Sequence, residues 1–342
     1  MVRDLTSGEP AAALTRLLWG SYRAHAMHVV AELGVADVLK DGPQPAAAVA
    51  ERVGAQTEPL SRILRTLAAA GVFTEAPPGS YALTDIGELL RSDVPGSLRD
   101  YATMFGSELF VRAADAMAGA VRSGKSGVEL VFGVPLYGYL AQHADAASVF
   151  DRGIASGSSM DDAAVLAAYD FAGVRVLADV GGGQGSLIAT ILEAHPAMRG
   201  LLVEREQVLS GARAQLAARG LLDRCEVIAG DFFTVVPPGA DTYLLKSVLH
   251  NWDDEHALSI LRTCRQVVSP SGRLLVIDPV LPPGDAPSAN KMFDLVMLSL
   301  NAGGRERTET EIGGLLARAG FALQRVLPAG WRQSIVEATA VN

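Results

Sequence analysis

The stretch Leu177–Ser186, LADVGGGQGS, combines an aspartate with four closely spaced glycines and is the first candidate for chemistry. Glycine allows unusual backbone angles and the close approach of a ligand. In a doubly wound sheet, a turn between a strand and a helix lies at the carboxyl ends of the strands, where ligands bind. Asp179 at the strand end would repel a pyrophosphate and attract a sulfonium or ammonium group, which favours S-adenosylmethionine over a nicotinamide cofactor. The alternative is a tight turn with a purely structural role.

Two further acidic residues lie at the ends of the next predicted strands. Glu204 lies roughly 20 residues past the glycines, where a carboxylate can accept hydrogen bonds from ribose hydroxyls. Asp231 is placed to accept from an adenine amino group, and Phe232 is placed to pack on the adenine ring or to belong to the core. Acidic residues at three successive strand ends, beginning with Asp179, indicate a nucleoside site.

The segment LLKSVLHNWDDEH places His250 just past the end of the fourth predicted strand, on the ligand side of the sheet. Imidazole has a pKa suited to removing a phenolic proton near neutral pH. An isolated histidine is more often structural, but here Asn251, Trp252 and three acidic residues follow it directly. Trp252 could stack on the adenine or fill a gap beside it.

The elements that must position these residues alternate between strands and helices from Phe171 onward. Such alternation predicts an α/β fold with a parallel doubly wound sheet. The last two predicted strands, FALQRVLPA and QSIVEATAV, have only GWR between them and must form a hairpin. A seven-stranded sheet that ends in an antiparallel hairpin is typical of class I methyltransferases. We therefore assign residues 171–342 to a Rossmann-like catalytic domain that binds S-adenosylmethionine.

The N-terminal part of the chain has a different pattern. Apolar residues recur at helical spacing from about Ala11, and FTEAPPGSYALT predicts two strands around a Pro-Gly turn. Helices followed by a hairpin indicate a winged-helix-like module, which we assign to residues 1–95. Such modules commonly bind DNA, but the third helix offers only Arg62 and Arg65, which favours packing against another subunit. Residues 96–170 predict a helical linker that also lines the substrate pocket.

The composition of the 342 residues, 49% apolar and 20% charged, indicates a globular protein of two or three domains. A net charge of −9 argues against a nucleic-acid partner. The two cysteines, Cys225 and Cys264, lack metal-type spacing and the six histidines form no cluster, so we expect no metal. MVRDLTSGEP lacks the apolar core of a signal peptide and no apolar run has membrane-spanning length, so we expect a cytoplasmic protein without a membrane partner.

Four segments in this order, DVGGGQG, LKSVLHNWDDE, VIDPVLP and LNAGGRERTETE, resemble the motifs of the plant-type O-methyltransferase family. That family includes caffeate, isoflavone and hydroxyindole O-methyltransferases, and bacterial enzymes that tailor aromatic natural products. The resemblance covers nearly the whole chain. It implies transfer of a methyl group from S-adenosylmethionine to a hydroxyl of a small aromatic acceptor, with S-adenosylhomocysteine as product. It also implies that the N-terminal module is a dimerisation domain, so we expect a homodimer.

The resemblance also implies which residues form the site. The catalytic base is His250, and the acidic residues that flank it are Asp278 and Glu306. Many plant members have a glutamate where this chain has Asp278, whose shorter side chain reaches less far toward the imidazole. Cofactor contacts correspond to Gly181, Gly183, Glu204, Asp231, Phe232 and Lys246, and we add Asp179, Trp252 and Ser158 to them.

The acceptor site is expected to be apolar and planar. Asn301, before the double glycine, matches a substrate-side position of the family. Phe293 and Met297 are one helical turn apart and share a face, so they either clamp an aromatic ring or belong to the core. Further candidates for lining this pocket are Phe105, Phe110, Phe132 and Tyr137.

The predicted mechanism begins when His250 removes the proton of an aromatic hydroxyl, and the oxygen then attacks the methyl carbon in line with the sulfur. One alternative is a relative that binds the same cofactor but catalyses hydroxylation, decarboxylation or a pericyclic step; retention of His250, Asp278 and Glu306 argues against it. Another is a ligand-sensing transcription regulator, which the low basicity of the third helix disfavours. The identity of the acceptor, the hydroxyl methylated and any attached sugar are left open by the sequence.

Overall fold

The computed structural model describes residues 8–341 of the chain. The first seven residues of the predicted 1–95 domain and Asn342, the last residue of the predicted 171–342 domain, lie outside the described part. No helix in the described part is both long and apolar enough to cross a membrane.

The described chain divides into two compact units whose segments alternate along the sequence. The first unit comprises residues 8–111 and 140–157, and the second comprises residues 112–139 and 158–341. The helical region predicted over residues 96–170 is therefore shared between both units. The domain boundaries that the sequence indicates stay predictions.

The first unit is mainly helical and contains a small antiparallel sheet. Its elements are α1 (Gly8–Leu18), α2 (Gly20–Glu32), α3 (Val35–Leu39), β1 (Gln44–Pro45), α4 (Ala46–Val53), α5 (Thr57–Ala69), β2 (Phe73–Glu75), β3 (Ser80–Leu83), α6 (Asp85–Glu88) and α7 (Arg99–Phe105). The strand order is β1-β3-β2, so the predicted hairpin after the helices is confirmed. Helix α5 presents Leu60, Leu64 and Leu67 at helical spacing, and all three are buried in the core of this unit.

Five helices connect this module to the large sheet. They are α8 (Glu108–Asp115), α9 (Met117–Ser123), α10 (Gly127–Phe132), α11 (Leu136–Gln142) and α12 (Ala144–Ala168). Helix α10 begins with a capping box in which Ser126 and Glu129 satisfy each other's backbone N–H groups. This cap gives the short helix a defined start in a region of many turns.

The second unit is built on one large sheet. Its elements are β4 (Val176–Val180), α13 (Ser186–Ala194), β5 (Arg199–Glu204), α14 (Glu206–Ala218), β6 (Cys225–Ala229), β7 (Thr242–Lys246), a 3-10 turn (Leu249–Asn251), α15 (Asp254–Val267), β8 (Arg273–Leu281), α16 (Ala289–Leu300), β9 (Arg307–Thr308), α17 (Glu309–Arg318), β10 (Phe321–Ala329) and β11 (Gln333–Ala340). Within the described residues the strand order is β10-β11-β8-β7-β4-β5-β6, and β9 pairs with β8. The five strands from β8 to β6 are parallel, whereas β10 and β11 form the antiparallel hairpin. The predicted fold class is confirmed, and the two-residue β9 is an addition.

The sheet is covered on both faces, and its central strands β4 and β7 are each buried at four of their five positions. Leu244 packs with the helices α13 and α14, and the next residue, Leu245, packs with α15 and α17. Burying such a side chain stabilises the fold by about 1.5–3 kcal/mol. The chain runs from β4 outward to β5 and β6 and then crosses to β7 on the other side of β4, so a crevice opens at the carboxyl ends of β4 and β7. The glycine turn follows β4 and His250 follows β7, so both lie at this crevice.

Candidate active site

The glycine turn between β4 and α13 is shaped by its neighbours. Gly181 and Gly183 have φ angles of 74° and 57°, in the left-handed region that favours glycine. A Cβ at Gly182 would lie 2.5 Å from the carboxyl group of Asp179, so no side chain fits there. A Cβ at Gly183 would meet nothing within 4 Å, so the turn is open on that side. The sequence analysis did not single out Gly182, although it is the residue that lets the turn close over Asp179.

Asp179 is a buried carboxylate that needs a partner. Neither of its carboxylate oxygens meets a hydrogen-bond donor in the described part of the chain. Burial raises the pKa of Asp179 to about 7; Lys246 opposes this shift, and the charges of Asp162 and Glu204 add to it. A cationic ligand beside this carboxylate would favour its ionised form. This is the electrostatic environment expected for the ammonium group of S-adenosylmethionine.

Glu204 ends β5 beside the glycine turn. Its Oε2 accepts a hydrogen bond of 3.2 Å from the backbone N–H of Gly183, and its Oε1 accepts one of 2.8 Å from the N–H of Arg205. A carboxylate has about four acceptor sites, so Glu204 can also take hydrogen bonds from two ribose hydroxyls. The structure thus brings Glu204 to the glycine turn, as the sequence predicts.

Aromatic rings form one wall of the crevice. Phe232 lies beside Gly181, and its ring is 6.4 Å from that of Trp252 between centroids. Phe233, which the sequence analysis did not select, lies between them at 5.0 Å from Phe232 and 4.8 Å from Trp252. Asp231 is exposed, and its Oδ1 accepts from the N–H of Phe233 at 2.9 Å. Edge-to-face packing of this kind holds the rings in place for stacking with a planar base.

Lys246 ends β7 and is held by residues of α12. Its Nζ donates to Ser158 Oγ at 2.7 Å and to the Ser158 carbonyl at 3.3 Å, and it forms an ion pair with Asp162. The second oxygen of Asp162 has no donor within the residues described, so this buried carboxylate resembles Asp179 in having unused acceptor capacity. The sequence analysis missed Asp162, and the only available signal was the pair of adjacent aspartates at residues 161 and 162.

His250 lies in the 3-10 turn after β7 and is paired with a buried glutamate. Its Nδ1 is 2.9 Å from Oε1 of Glu306, and the two residues are only 6% and 2% exposed. Burial alone lowers the pKa of His250, but the negative charges of Glu306 and Asp278 outweigh it, and the pKa is raised. Because Nδ1 is engaged by Glu306, Nε2 is the nitrogen that can take a proton from an acceptor.

Asp278 influences the imidazole by its charge rather than through the Nδ1 contact, which Glu306 takes. It is 4% exposed, and its Oδ1 has no donor among the residues that the structure describes. Burial raises the pKa of Asp278 to about 6. A cavity of about 10 Å³ borders Asp278, Glu306 and His250, which is too small for an aromatic ring.

Capping residues help to place the two segments that carry His250 and Glu306. The Asp253 side chain accepts from the N–H of His256 and starts α15 just after the 3-10 turn. Thr308 and Glu311 form a capping box that starts α17 just after Glu306. Asp294 on α16 also accepts a hydrogen bond of 2.7 Å from the Glu306 N–H. Asp253 and Thr308 are therefore helix caps as well as neighbours of the site.

Arg307 connects the two segments. Its guanidinium donates to the carbonyls of Leu249 and Trp252 at 3.0 and 2.7 Å, and to Asp254 Oδ1 at 3.0 Å. The two carbonyls lie on either side of His250, so the buried arginine holds the turn that presents the imidazole. No pattern in the sequence marks Arg307 for this position.

We expect Arg307→Met to lower kcat by about 10²-fold while the affinity for S-adenosylmethionine changes little, because a displacement of about 1 Å of a reacting group has an effect of this size. Steady-state kinetics and calorimetry measure the two quantities. The matched control is Arg318→Met at the end of α17, which removes an exposed ion pair with Glu255 of α15 and should have no measurable effect. Wild-type kcat in Arg307→Met would show that the arginine does not position His250.

The predicted acceptor residues do not all lie in one place. Phe293 on α16 lies beside the base, with its ring 6.2 Å from the His250 ring and nearly parallel to it at 19°. Met297, one turn further, is 3% exposed and packed in the interior. Asn301 donates to the Asn251 side chain at 3.1 Å, next to His250. Phe293 and Asn301 are thus brought close to His250, and their contacts with an acceptor stay predictions.

The other aromatic candidates pack against neighbouring side chains. In the first unit the rings of Phe105 and Phe110 are 5.0 Å apart. In the second unit Phe132 lies 4.3 Å from Tyr139, and the Arg205 guanidinium lies 5.2 Å from the Tyr137 ring. Their part in acceptor binding also stays a prediction. Within the described residues, no three His, Cys, Asp or Glu side chains are grouped to hold a metal ion.

The sheet topology and the residues at the crevice together define a class I methyltransferase. Two family models match the chain, the O-methyltransferase domain over residues 115–322 and the O-methyltransferase dimerisation domain over residues 15–93. The chain belongs to this O-methyltransferase family, as the resemblance of its motifs indicated.

Curated relatives of the chain include enzymes with different methyl acceptors. A phenazine O-methyltransferase of Lysobacter antibioticus is 40% identical over 96% of this chain and 96% of its own length. A 3-amino-4-hydroxybenzoate 4-O-methyltransferase of Streptomyces cremeus is 36% identical over 95% of this chain and 89% of its own length. A phenazine-1-carboxylate N-methyltransferase of Pseudomonas aeruginosa is 33% identical over 92% of each chain.

Two solved structures have the same fold with a bound cofactor or product. The methyltransferase of calicheamicin biosynthesis, with S-adenosylhomocysteine bound, gives a TM-score of 0.90 at 36% identity and covers 99% of this chain and 100% of that one. The O-methyltransferase of neocarzinostatin biosynthesis, in complex with S-adenosylmethionine and 2-hydroxy-5-methyl naphthoic acid, gives 0.76 at 34% identity and covers 93% of this chain and 96% of that one. Both contain the cofactor or the product that the sequence predicts.

Proposed function

We propose that this protein is an S-adenosylmethionine-dependent O-methyltransferase that methylates a hydroxyl of a small aromatic natural product. The observation that carries the proposal is the buried pair of His250 and Glu306 at the crevice where the glycine turn also lies. Membership of the O-methyltransferase family and relatives that act on phenazine and hydroxybenzoate acceptors support it.

The residues at the crevice fit S-adenosylmethionine. Asp179 and Asp162 have buried carboxylate oxygens without donors among the described residues, and they would accept hydrogen bonds from the ammonium group. The open side of Gly183 leaves room for the nucleoside, whose ribose Glu204 would bind. Phe232 and its aromatic neighbours would pack on the adenine. When bound, S-adenosylmethionine supplies an electrophilic methyl group on a positively charged sulfur.

The chain's own residues supply the proton chemistry. His250 takes the hydroxyl proton of the acceptor on Nε2, and Glu306 on Nδ1 fixes the tautomer and stabilises the imidazolium. The charge of Asp278 adds to this stabilisation. A base of this kind contributes about 10²–10⁴-fold in rate, and alignment of the reacting atoms contributes about 7–11 kcal/mol in favourable cases.

The choice of oxygen over nitrogen is part of the proposal, because one relative is an N-methyltransferase. A phenol has a pKa of about 10 and must lose its proton to become a strong nucleophile. A heteroaromatic nitrogen carries its lone pair at neutral pH and needs no base. The buried imidazole with two carboxylates nearby therefore supports a hydroxyl acceptor.

The test is an assay of the protein with S-adenosylmethionine and a panel of aromatic acceptors, in which each phenol is matched by an amine of the same skeleton. An O-methylated product with an equal amount of S-adenosylhomocysteine is the expected result. Methylation of the amines alone would refute the choice of oxygen. A changed acceptor without S-adenosylhomocysteine would support a non-methylating reaction, and failure to bind either form of the cofactor in calorimetry would refute the proposal entirely.

We further propose that the protein is a cytoplasmic homodimer. The start of the first unit carries five large apolar side chains that are between 59% and 78% exposed, namely Leu14, Leu17, Leu18, Trp19 and Tyr22. Exposed apolar patches of this kind mark protein interfaces. They lie within or at the edge of the segment that matches the dimerisation domain, which begins at residue 15.

We expect Leu17→Glu combined with Leu18→Glu to convert the dimer into a monomer in light scattering, because burying two carboxylates in an apolar contact weakens it by at least about 10-fold. The control is Leu222→Glu, which places a glutamate on another exposed leucine, in the second unit. A dimer that persists in the double variant at low micromolar concentration would place the interface elsewhere.

A further inference from the structure

Arg332 is a buried cation that the proposed mechanism does not use. It is the last residue of the turn between β10 and β11, and its side chain is 11% exposed. The Nε and Nη1 groups are buried and have no hydrogen-bond acceptor among the residues described. A guanidinium is always charged and donates through five N–H groups, so buried unpaired donors of this kind are stabilised by an anionic oxygen.

The guanidinium lies close to the candidate base. Its Cζ is 3.9 Å from the centroid of the Phe293 ring, and that ring is stacked near the His250 ring at 6.2 Å. Stacking on Phe293 fixes the plane of the guanidinium, and the Asn290 side chain donates to the Arg332 carbonyl at 3.1 Å and fixes the backbone. The positive charge also counteracts the raised pKa of His250.

The carboxylate nearest to Arg332 does not accept a hydrogen bond from Nε or Nη1 of the arginine. Asp161 Oδ2 is 3.8 Å from Nη2, beyond hydrogen-bond distance, and it accepts a hydrogen bond of 3.2 Å from Gln333 instead. Burial raises the pKa of Asp161, although the charges of Lys246 and Arg332 oppose this shift. The arginine is therefore held rigidly by packing, while its buried Nε and Nη1 groups lack an acceptor among the described residues.

We propose that Arg332 binds a carboxylate of the acceptor, so that the preferred substrates are aromatic hydroxy acids with the acid and the hydroxyl on one ring system. This inference rests on the proposed methyl transfer to an aromatic acceptor. Arg332 is thus a specificity-determining residue that orients the hydroxyl toward His250. A carboxylate could also come from the methionine part of the cofactor, and the experiment separates the two sources.

The experiment compares a hydroxynaphthoic acid with the naphthol of the same skeleton. Calorimetry on the dimer saturated with S-adenosylhomocysteine measures their binding without turnover, and steady-state kinetics measure kcat/KM for each. We expect the wild type to prefer the acid. We expect Arg332→Met to weaken binding of the acid by about 10–100-fold, the effect of a hydrogen bond to a charged group, and to change binding of the naphthol by less than about 2-fold. Arg332→Lys should restore part of the preference.

The matched control is Arg325→Met on β10. That arginine also lies over an aromatic ring, 5.6 Å from the centroid of Tyr169, but it is half exposed and paired with Glu337. It should leave both acceptors unaffected, and thermal melts confirm that each variant is folded. Equal losses for acid and naphthol, no preference in the wild type, or no binding of the acid at millimolar concentration would each overturn the inference. A loss confined to affinity for S-adenosylmethionine would assign Arg332 to the cofactor and overturn it as well.

Because the binding assay needs no turnover, the two proposals can fail separately. Tight, Arg332-dependent binding of the acid without methyl transfer would uphold the anion site and refute the proposed reaction. Methylation of the naphthol with no role for Arg332 would uphold the proposed reaction and refute the anion site.

Discussion

The variant His250→Gln should lose about 10²–10⁴-fold in kcat, the contribution of a positioned general base. Glutamine keeps the size and polarity of the side chain but cannot take a proton at Nε2. The glycine turn and the carboxylates that would hold the cofactor are separate from the imidazole, so affinity for S-adenosylmethionine should remain near that of the wild type. Single-turnover kinetics and calorimetry distinguish these two effects.

A matched control for this variant is His195→Gln. His195 follows α13 at the opposite end of that helix from the glycine turn, and its ring packs near Phe171 at 6.1 Å. This change should leave kcat unaltered. If His250→Gln kept wild-type kcat, the imidazole would not be the base, and if it abolished cofactor binding the loss of rate would have another cause.

The variant Glu306→Gln should lose a similar factor, about 10²–10⁴-fold, because the carboxylate fixes the tautomer of His250 and stabilises its charged form. The amide of glutamine can donate to Nδ1 and so favour the tautomer with the proton on Nε2, which cannot accept another there. The surviving activity should also have a changed pH dependence.

The sign of that change follows from the charges around His250. Glu306 and Asp278 raise the pKa of His250 against the effect of burial, and only the neutral imidazole can act as a base. Activity therefore rises with pH as His250 loses its proton. Removing the charge of Glu306 lowers the pKa of His250, so the acidic limb of kcat/KM against pH should move to lower pH in Glu306→Gln.

Two companion variants make this test sharper. Asp278→Asn should move the acidic limb in the same direction by a smaller amount, because Glu306 also contacts Nδ1 directly. Glu309→Gln, an exposed glutamate three residues from Glu306, should leave the profile in place. An acidic limb that stayed fixed or moved to higher pH in Glu306→Gln would mean that the limb reports another group.

Much of the second unit was predictable because its patterns are local. The strand β4 and the helix α13 are apolar segments on either side of a glycine turn, and the short connection of residues 330–332 allows only a hairpin between β10 and β11. The motif around His250 carries its own helix start at Asp253. The resemblance of four ordered motifs to one family added the prediction that His250 is the base and that Asp278 and Glu306 flank it.

Other parts of the site could not be predicted, since they depend on contacts between distant segments. Asp162 is 84 residues from Lys246, and nothing in the local sequence marks it as the ion-pair partner. Arg307 looks like any arginine in a polar segment until its contacts with Leu249 and Trp252 are known. Arg332 was seen only as part of a hairpin connection.

The sequence by itself determined the fold class and the family and indicated His250 as the candidate base, because strand and helix periodicity, glycine at positive φ and helix caps are written in consecutive residues. Only the tertiary structure decided how the base is paired and charged. Glu306 contacts the imidazole while Asp278 acts through its charge, and Arg332 is stacked beside Phe293 with unpaired donors. The physical reason is that burial and the distances between charges, which set pKa values and leave buried donors unpaired, exist only after the sheet has brought remote segments together.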